Sequence, residues 1–162
     1  MDVYTVPKDK AVVLIDIPAY PIAERTVFLS GTAEHHKGRE TVSDLLNRPN
    51  PFLPVQEEDG ESVLVRKDAV RWLKVLEPAV VEWHYYENRE GAPRKRIRCI
   101  FKEGEALEGY VYAVAPEGHQ RVSDIANREE GFLHVEADGD LYLVNARHVL
   151  FIRILEENNG SP

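Results

Sequence analysis

"VSDIANREEGFLHV", residues 122–135, and "VSDLLNRPNPFLPV", residues 42–55, are two spellings of one phrase. Eight of the 14 positions are identical, and Leu45 against Ile125 is a conservative match. With one residue dropped, the correspondence continues: DGESVLV (59–65) lies against DGDLYLV (138–144), and AVRWLKVLE (69–77) against HVLFIRILE (148–156). Upstream, VVLIDI (12–17) resembles IRCIF (97–101), and RTVFL (25–29) resembles GYVYA (109–113). Gly38 and Gly118 stand at the same distance before their VSD. One repeat of this length indicates an internal duplication, since solenoids stack three or more shorter units. The chain divides into a first unit over 1–78, a second over 79–158 and a frayed polar tail over 159–162. Each unit is near the lower size limit for folding alone, so the two are expected to share an interface.

Within each unit the dominant signal is β. AVVLIDI (11–17) reads as a strand stopped by Pro18 and Pro21, and RTVFLSG (25–31) resumes the pattern. ESVLVRKDAVRWLKVLE (61–77) reads as two strands around the turn-like RKD, and AVVEWHYYE (79–87), β-branched and aromatic, as a third. In the second unit KRIRCIF (95–101) alternates, with Ile97, Cys99 and Phe101 on one face and Arg96 and Arg98 on the other. EALEGYVYAV (105–114) returns from a Gly104 turn, GFLHVEA and DLYLV form a hairpin on Asp138-Gly139, and HVLFIRIL closes the unit.

The repeated phrase interrupts this pattern as one helical turn. Ser43 and Ser123 are placed to N-cap it, and Asp44 and Asp124 fall in its first turn, where the helix dipole favours negative charge. Asn47 and Asn127 suit a left-handed end, and Phe52 and Phe132 start the next strand. These repeat-signature residues all have a structural role available, so the phrase is expected to plug a small barrel. The expected fold is mainly β: two similar small bent-sheet barrels in tandem, each with a short helical turn.

IRCIFKEGEALEGYVY (97–112), SDIAN followed by FLHV, and LVNARHVLFIRI (143–154) together resemble the Sm-like chains, and the unit as a whole resembles the SH3-like barrels. The resemblance implies a five-stranded bent sheet in each half. The repeated RVSD…N…F phrase is also similar to a domain found in bacterial proteins, a resemblance that implies no activity.

Composition narrows the function classes. The hydrophobic fraction of 43% with 30% charged residues is that of an ordinary globular chain, and no apolar run approaches the ~20 residues that span a bilayer. The opening Met1-Asp2-Val3 does not read as a signal peptide. A single cysteine, Cys99, excludes an intramolecular disulfide and suits a reducing cytoplasm, the expected location. The net charge of −8 gives no general attraction to nucleic acid or anionic lipid.

Chemical motifs are sparse. Glu34, His35, His36 and Glu40 form the nearest approach to a metal-ligand cluster, but adjacent histidines on a strand point to opposite faces, so no metal site is expected. Nucleophile and phosphate-loop signatures are missing from the sequence, and Cys99 alternates inward as a buried hydrophobe. The basic run of Arg94, Lys95, Arg96 and Arg98, with Trp83, Tyr85 and Tyr86 nearby, is a candidate anion or nucleic-acid contact. Its plainer role is an edge-strand guard whose arginines pair with neighbouring acids. The expectation is therefore a non-catalytic binding or adaptor module without cofactor, whose partner is a protein or peptide taken by strand addition. The alternatives are nucleic-acid or nucleotide binding through Arg94–Arg98, and an enzyme whose site lies where the repeats meet.

Overall fold

The computed structural model describes residues 9–33, 36–128 and 131–156. The first half runs β1 (Asp9–Asp16), β2 (Glu24–Leu29), α1 (Val42–Asn47), β3 (Phe52–Gln56), β4 (Ser62–Arg66), a 3-10 turn (Lys67–Ala69) and β5 (Trp72–Val75). Two short helices follow, α2 (Pro78–Val81) and α3 (Trp83–Arg89). The second half repeats the order: β6 (Arg94–Phe101), β7 (Ala106–Tyr112), α4 (Val122–Ala126), β8 (Phe132–Ala137), β9 (Asp140–Asn145), a 3-10 turn (Ala146–His148) and β10 (Val149–Glu156). The repeated phrase is helical in both halves.

The ten strands form one antiparallel sheet, ordered β10-β6-β7-β8-β9-β5-β1-β2-β3-β4. Its left and right halves have the same internal order, the last strand of each repeat lying beside its first. The expectation of two separate barrels needs correction here, because the sheet is continuous and does not close. β5 of the first half pairs with β9 of the second, in the register Trp72↔Val144, Leu73↔Leu143, Lys74↔Tyr142 and Val75↔Leu141. Closing two barrels would have used the edges that this pairing occupies.

Alternation within the strands builds the core. Ala11, Val13 and Ile15 of β1 and Val27 and Leu29 of β2 are buried with Leu45, Leu46, Leu53 and Leu73 in one apolar cluster. Ile97, Cys99, Phe101, Val111, Val122, Ile125 and Val135 form the second. Each helical plug sits on its own half's cluster, through Leu45 and Leu46 in α1 and through Val122 and Ile125 in α4. The clusters exchange residues at the seam: Phe132 and Leu143 belong to the first half's cluster, and Trp72 packs against the second's.

The segment 79–87 departs from its strand expectation. Glu77 adopts a left-handed φ of 53°, Pro78 occupies the first helical position of α2, and α3 follows directly. Pro fits there because its missing N–H would have had no intrahelical acceptor. The β-branched and aromatic run favours strand only weakly, and packing overrides it. Trp83 of α3 lies over Gly38, where an added Cβ would come within 2.8 Å of the indole.

The bend of each half falls at equivalent places. β2 meets β3 through the single pair Thr26↔Gln56, and β7 meets β8 through Tyr110↔Glu136. At the second bend Gly109 lets β8 approach so closely that a Cβ would lie 2.4 Å from the Glu136 carbonyl oxygen. That neighbour is backbone and cannot rotate away. Gly109→Ala is therefore expected to lower stability by about 1–3 kcal/mol, the usual cost of overpacking. Denaturant unfolding of the variant against wild type measures it.

Candidate functional site

The halves enclose a cleft of about 330 Å³ between α1, α3, the end of β7, α4 and β8. Its apolar wall is Tyr112, Val111, Ile125, Phe132 and Leu133, and its polar groups come from His36, Asp44, His84, Asn88 and His134. Both copies of the repeated phrase reach it, and α3, which has no counterpart among the described residues of the first half, forms one side.

At the base of the arrangement lies Glu82, wholly buried at the start of α3. Its carboxylate accepts the Ser43 backbone N–H at 3.0 Å and the Ser43 hydroxyl at 2.9 Å. It also contacts His134 Nε2 at 3.1 Å. These three contacts replace the water that a buried polar group loses. The His134 ring stacks on Tyr85 with centroids 4.2 Å apart, and the Tyr85 hydroxyl donates to Glu136 at 2.6 Å. Burial is the main reason the Tyr85 phenol is pushed well above its ordinary pKa, with the Glu136 hydrogen bond adding to it.

The second polar group is built on the helix start. Thr41, not Ser43, is the N-cap of α1: its hydroxyl accepts the Asp44 N–H at 3.2 Å, while Asp44 accepts the Thr41 N–H at 2.8 Å. This reciprocal pair is a capping box. In α4 the N-cap is Arg121, whose N–H is accepted by Asp124 at 3.0 Å. The cap therefore lies two residues earlier than expected in both halves, because the helices begin at Val42 and Val122. Ser43 is thereby released to serve Glu82, whereas Ser123 is exposed. The left-handed ends expected at Asn47 and Asn127 are also corrected: Asn47 is the last helical residue and Asn127 has φ −91°. α1 is closed instead by the buried Lys67, which donates to the carbonyls of Leu45 at 2.8 Å and Arg48 at 3.2 Å.

Asp44 also binds His36 Nε2 at 2.6 Å, and His36 Nδ1 lies 3.0 Å from the Lys37 carbonyl. With an acceptor at each ring nitrogen, this imidazole is suited to carrying both protons. It stacks on His84 with centroids 4.0 Å apart. Burial alone would lower the His36 pKa, but the Lys37 carbonyl and Asp44 outweigh it and the value is raised. Burial alone would raise the Asp44 pKa, but the Thr41 N–H and His36 outweigh it and the value is lowered.

Chemically, the cleft offers hydrogen bonds and stacking more readily than nucleophilic attack. Ser43, Glu82 and His134 occur in that order along the chain of hydrogen bonds, so the carboxylate separates the hydroxyl from the imidazole. A serine nucleophile needs the base directly on its hydroxyl. Asn88 lies 3.1 Å from His84 Nε2, which orients that ring as part of the lining.

The other sequence candidates are dispersed. Of the four residues that come nearest to a metal-ligand cluster in the sequence, Glu34 and His35 lie outside the described residues, and the Glu40 carboxylate accepts the Ser30 N–H at 2.9 Å and pairs with Arg48. Among the described residues no three His, Cys, Asp or Glu side chains are grouped to hold a metal ion. Arg96 and Arg98 project from β6 onto one carboxylate, Glu108 of β7, at 2.5 and 2.6 Å. Arg94 covers the Tyr110 ring at 4.0 Å, and Lys95 turns to the buried face with Ile97, Cys99 and Phe101. Burial pushes the Cys99 thiol up to about 11, so it stays protonated at neutral pH. Phe52 is exposed under Arg66, while Phe132 is buried. Sequence reasoning missed Glu82, His84 and His134. The available signal for the first two was negative: they lie in 78–93, outside the matched segments of the repeat.

No family model, curated protein or solved structure matches this chain. No helix among the described residues is long and apolar enough to cross a membrane.

The His36–Asp44 pair carries a pH signature. A raised histidine pKa contributes stability that is whole below its ordinary value of 6.5 and is lost as pH rises through the folded value. A lowered aspartate pKa contributes above 3.8 and is lost as pH falls through the folded value. The pair therefore supports the fold most between about pH 4 and 6.5. In His36→Gln the decline on the alkaline side of this window should flatten, as read from melting temperature against pH for variant and wild type.

Proposed function

We propose that the chain is a non-catalytic protein-binding module built from two copies of one small barrel-like unit, and that it takes its partner by strand addition on open sheet edges. The observation that carries this is at the ends of the sheet. Among the described residues the outermost strands, β10 and β4, each have a strand neighbour on one side only, and large apolar side chains are exposed on both: Leu64 on β4 and Leu150, Phe151, Ile154 and Leu155 on β10. Unpaired backbone groups beside exposed apolar side chains are a template for another strand. Apolar groups of this size, gathered at an edge, mark an interaction surface. The expected result is that proteins captured by the wild-type chain from its native host are lost when Leu64 and Ile154 are both changed to Asp. Retention of the same partners by the double variant would sink the proposal.

The basic strand supports the nucleic-acid alternative less well. Arg96 and Arg98 already share Glu108, and the net charge is −8. A phosphate would have to displace that carboxylate. Wild type is expected to show no appreciable, salt-sensitive binding of single-stranded RNA or DNA at physiological ionic strength, and reversal of both arginines to Glu should leave the titration unchanged. Tight binding abolished by the reversal would favour this alternative over strand addition.

The cleft favours a second reading, a small-molecule or enzyme site between the halves. Its support is the convergence of His84, His134 and Asn88 on an apolar-walled space. The hydrogen-bond order Ser43–Glu82–His134 speaks for binding rather than turnover.

A further inference from the structure

We infer that the partner at these edges is a second copy of the chain, with β10 of one molecule adding to β4 of the next in the register that already joins β5 to β9. This rests on the strand-addition reading above and names its occupant. The basis is the duplication. The seam inside the molecule joins the last strand of one repeat, β5, to the fourth strand of the other, β9. Among the described residues the strands left open at the two ends of the sheet are the remaining members of the same two classes, β10 and β4. Each molecule therefore carries both halves of an interface it has already formed once within itself.

Burial follows that equivalence at three positions. Leu143 of β9 is 0% exposed at the seam, and its repeat counterpart Leu64 is 65% exposed. Val75 of β5 is 1% exposed and its counterpart Ile154 is 51%. Phe132, which crosses the seam into the first half's core, is 6% exposed, and its counterpart Phe52 is 38%. In each case a residue buried by the seam has an apolar counterpart left in solvent at an open edge.

A groove awaits these side chains. An apolar space of about 260 Å³ lies beside β10, lined by Ala126, Leu133, Val149 and Ile152 among others. Those four are the repeat counterparts of Leu46, Leu53, Val70 and Leu73. The latter four belong to the core cluster that contains Phe132 and Leu143. The groove is thus the second half's version of the place that Phe132 and Leu143 occupy in the first half. Phe52 and Leu64 of another copy are the residues of matching position and character.

Charge agrees as well. At the seam Lys74 pairs with Asp140 at 3.0 Å. Their counterparts are Arg153 on β10 and Glu61 before β4, again a cation facing an acid. The pairing of β10 with β6 shifts register between Val149 and Phe151 and again between Ile154 and Glu156. The regular stretch between the shifts, 151–154, is the counterpart of β5. An interface of this kind is head-to-tail, so each added copy presents a fresh edge, and assembly proceeds beyond a dimer to a ring or an open chain.

Two exposed substitutions test it, Leu64→Asp on the β4 edge and Ile154→Asp on the β10 edge. Sedimentation velocity should find wild type larger than a dimer and each variant monomeric, with circular dichroism unchanged. An equimolar mixture should give a one-to-one dimer, because each variant retains the edge its partner needs. In addition, Arg153→Glu should weaken wild-type assembly, and combining it with Glu61→Arg should restore it. A wild-type monomer at every attainable concentration, or a mixture that stays monomeric, would overturn the inference. If wild type is monomeric but still captures host proteins in an edge-dependent manner, strand addition stands and only the second copy as occupant fails. If neither assembly nor edge-dependent capture is seen, both fail.

Discussion

The pairing of β5 with β9 is the constraint on which the molecule turns. It places Leu73 opposite Leu143, both fully buried, at the joint between two five-stranded halves. Burying each such side chain contributes about 1.5–3 kcal/mol, and the adjacent backbone hydrogen bonds need the same register. A slip of one residue would turn both leucines out of the core. Polar ties fix the same register from the side. The Asn145 N–H reaches the Arg71 carbonyl at 2.9 Å, and its side chain donates to the Val70 carbonyl at 2.9 Å. Two half-size cores are thereby made to support each other, as expected of units near the lower limit for independent folding.

The same joint explains why the repeats have diverged where they have. Asn145 occupies the position of Arg66 in the first half, and only the second-half residue has a neighbouring strand in the molecule to bind. Lys67 and Ala146 are a second such pair. Lys67 is buried with its ammonium on the last carbonyls of α1, and burial lowers its pKa. Ala146, its counterpart, cannot reach α4, and α4 is the shorter helix. The linker adds an asymmetry with no precedent in either repeat. Glu82 arrives from outside the duplicated pattern, takes the N–H and hydroxyl of Ser43, and meets His134 from the other half. One buried carboxylate thus ties the first plug, the linker and the second half of the sheet together, and removing it would take the acceptor from the half-buried Ser43 N–H and hydroxyl.

How much of this was legible depended on whether a residue's role was local. Strands β1 to β10 stand where alternation, turn residues and the repeat place them, and the Asp138-Gly139 turn has the two positive φ angles a tight hairpin requires. Ile97, Cys99 and Phe101 are buried as alternation implies. The helix caps lie two residues before the serines: Ser43 is a good cap in isolation, but Thr41 takes that place and Glu82 competes for the serine. That competitor lies 39 residues away and has no sequence signal. The helices of 78–89 were read as strand because Val80, Val81, Trp83 and Tyr85 have strand propensity, which packing against Gly38 and His134 outweighs. The open sheet is the largest departure. A repeat announces two similar units, but whether each closes on itself or lends its edge to the other is decided by strand pairing between distant segments.

That choice bears on the cleft as well as on the edges. Because the halves share a sheet instead of closing separately, α1 and α4 are brought to the same side of the seam, and the space between them is lined by both copies of the repeated phrase. Equivalent residues there meet different surroundings. Asp44 binds His36, which is stacked on His84 of the linker, whereas Asp124 holds only the start of its own helix among the contacts described. A duplicated element can keep its structural duty in one copy and gain a new one in the other, provided a third segment supplies the partner. Here α3 is that segment. The first copy of the phrase supports the cleft through Ser43 and Asp44, and the second supports it through the apolar side of Ile125 and Ala126. The cleft is consequently a property of the joined halves and of neither repeat alone.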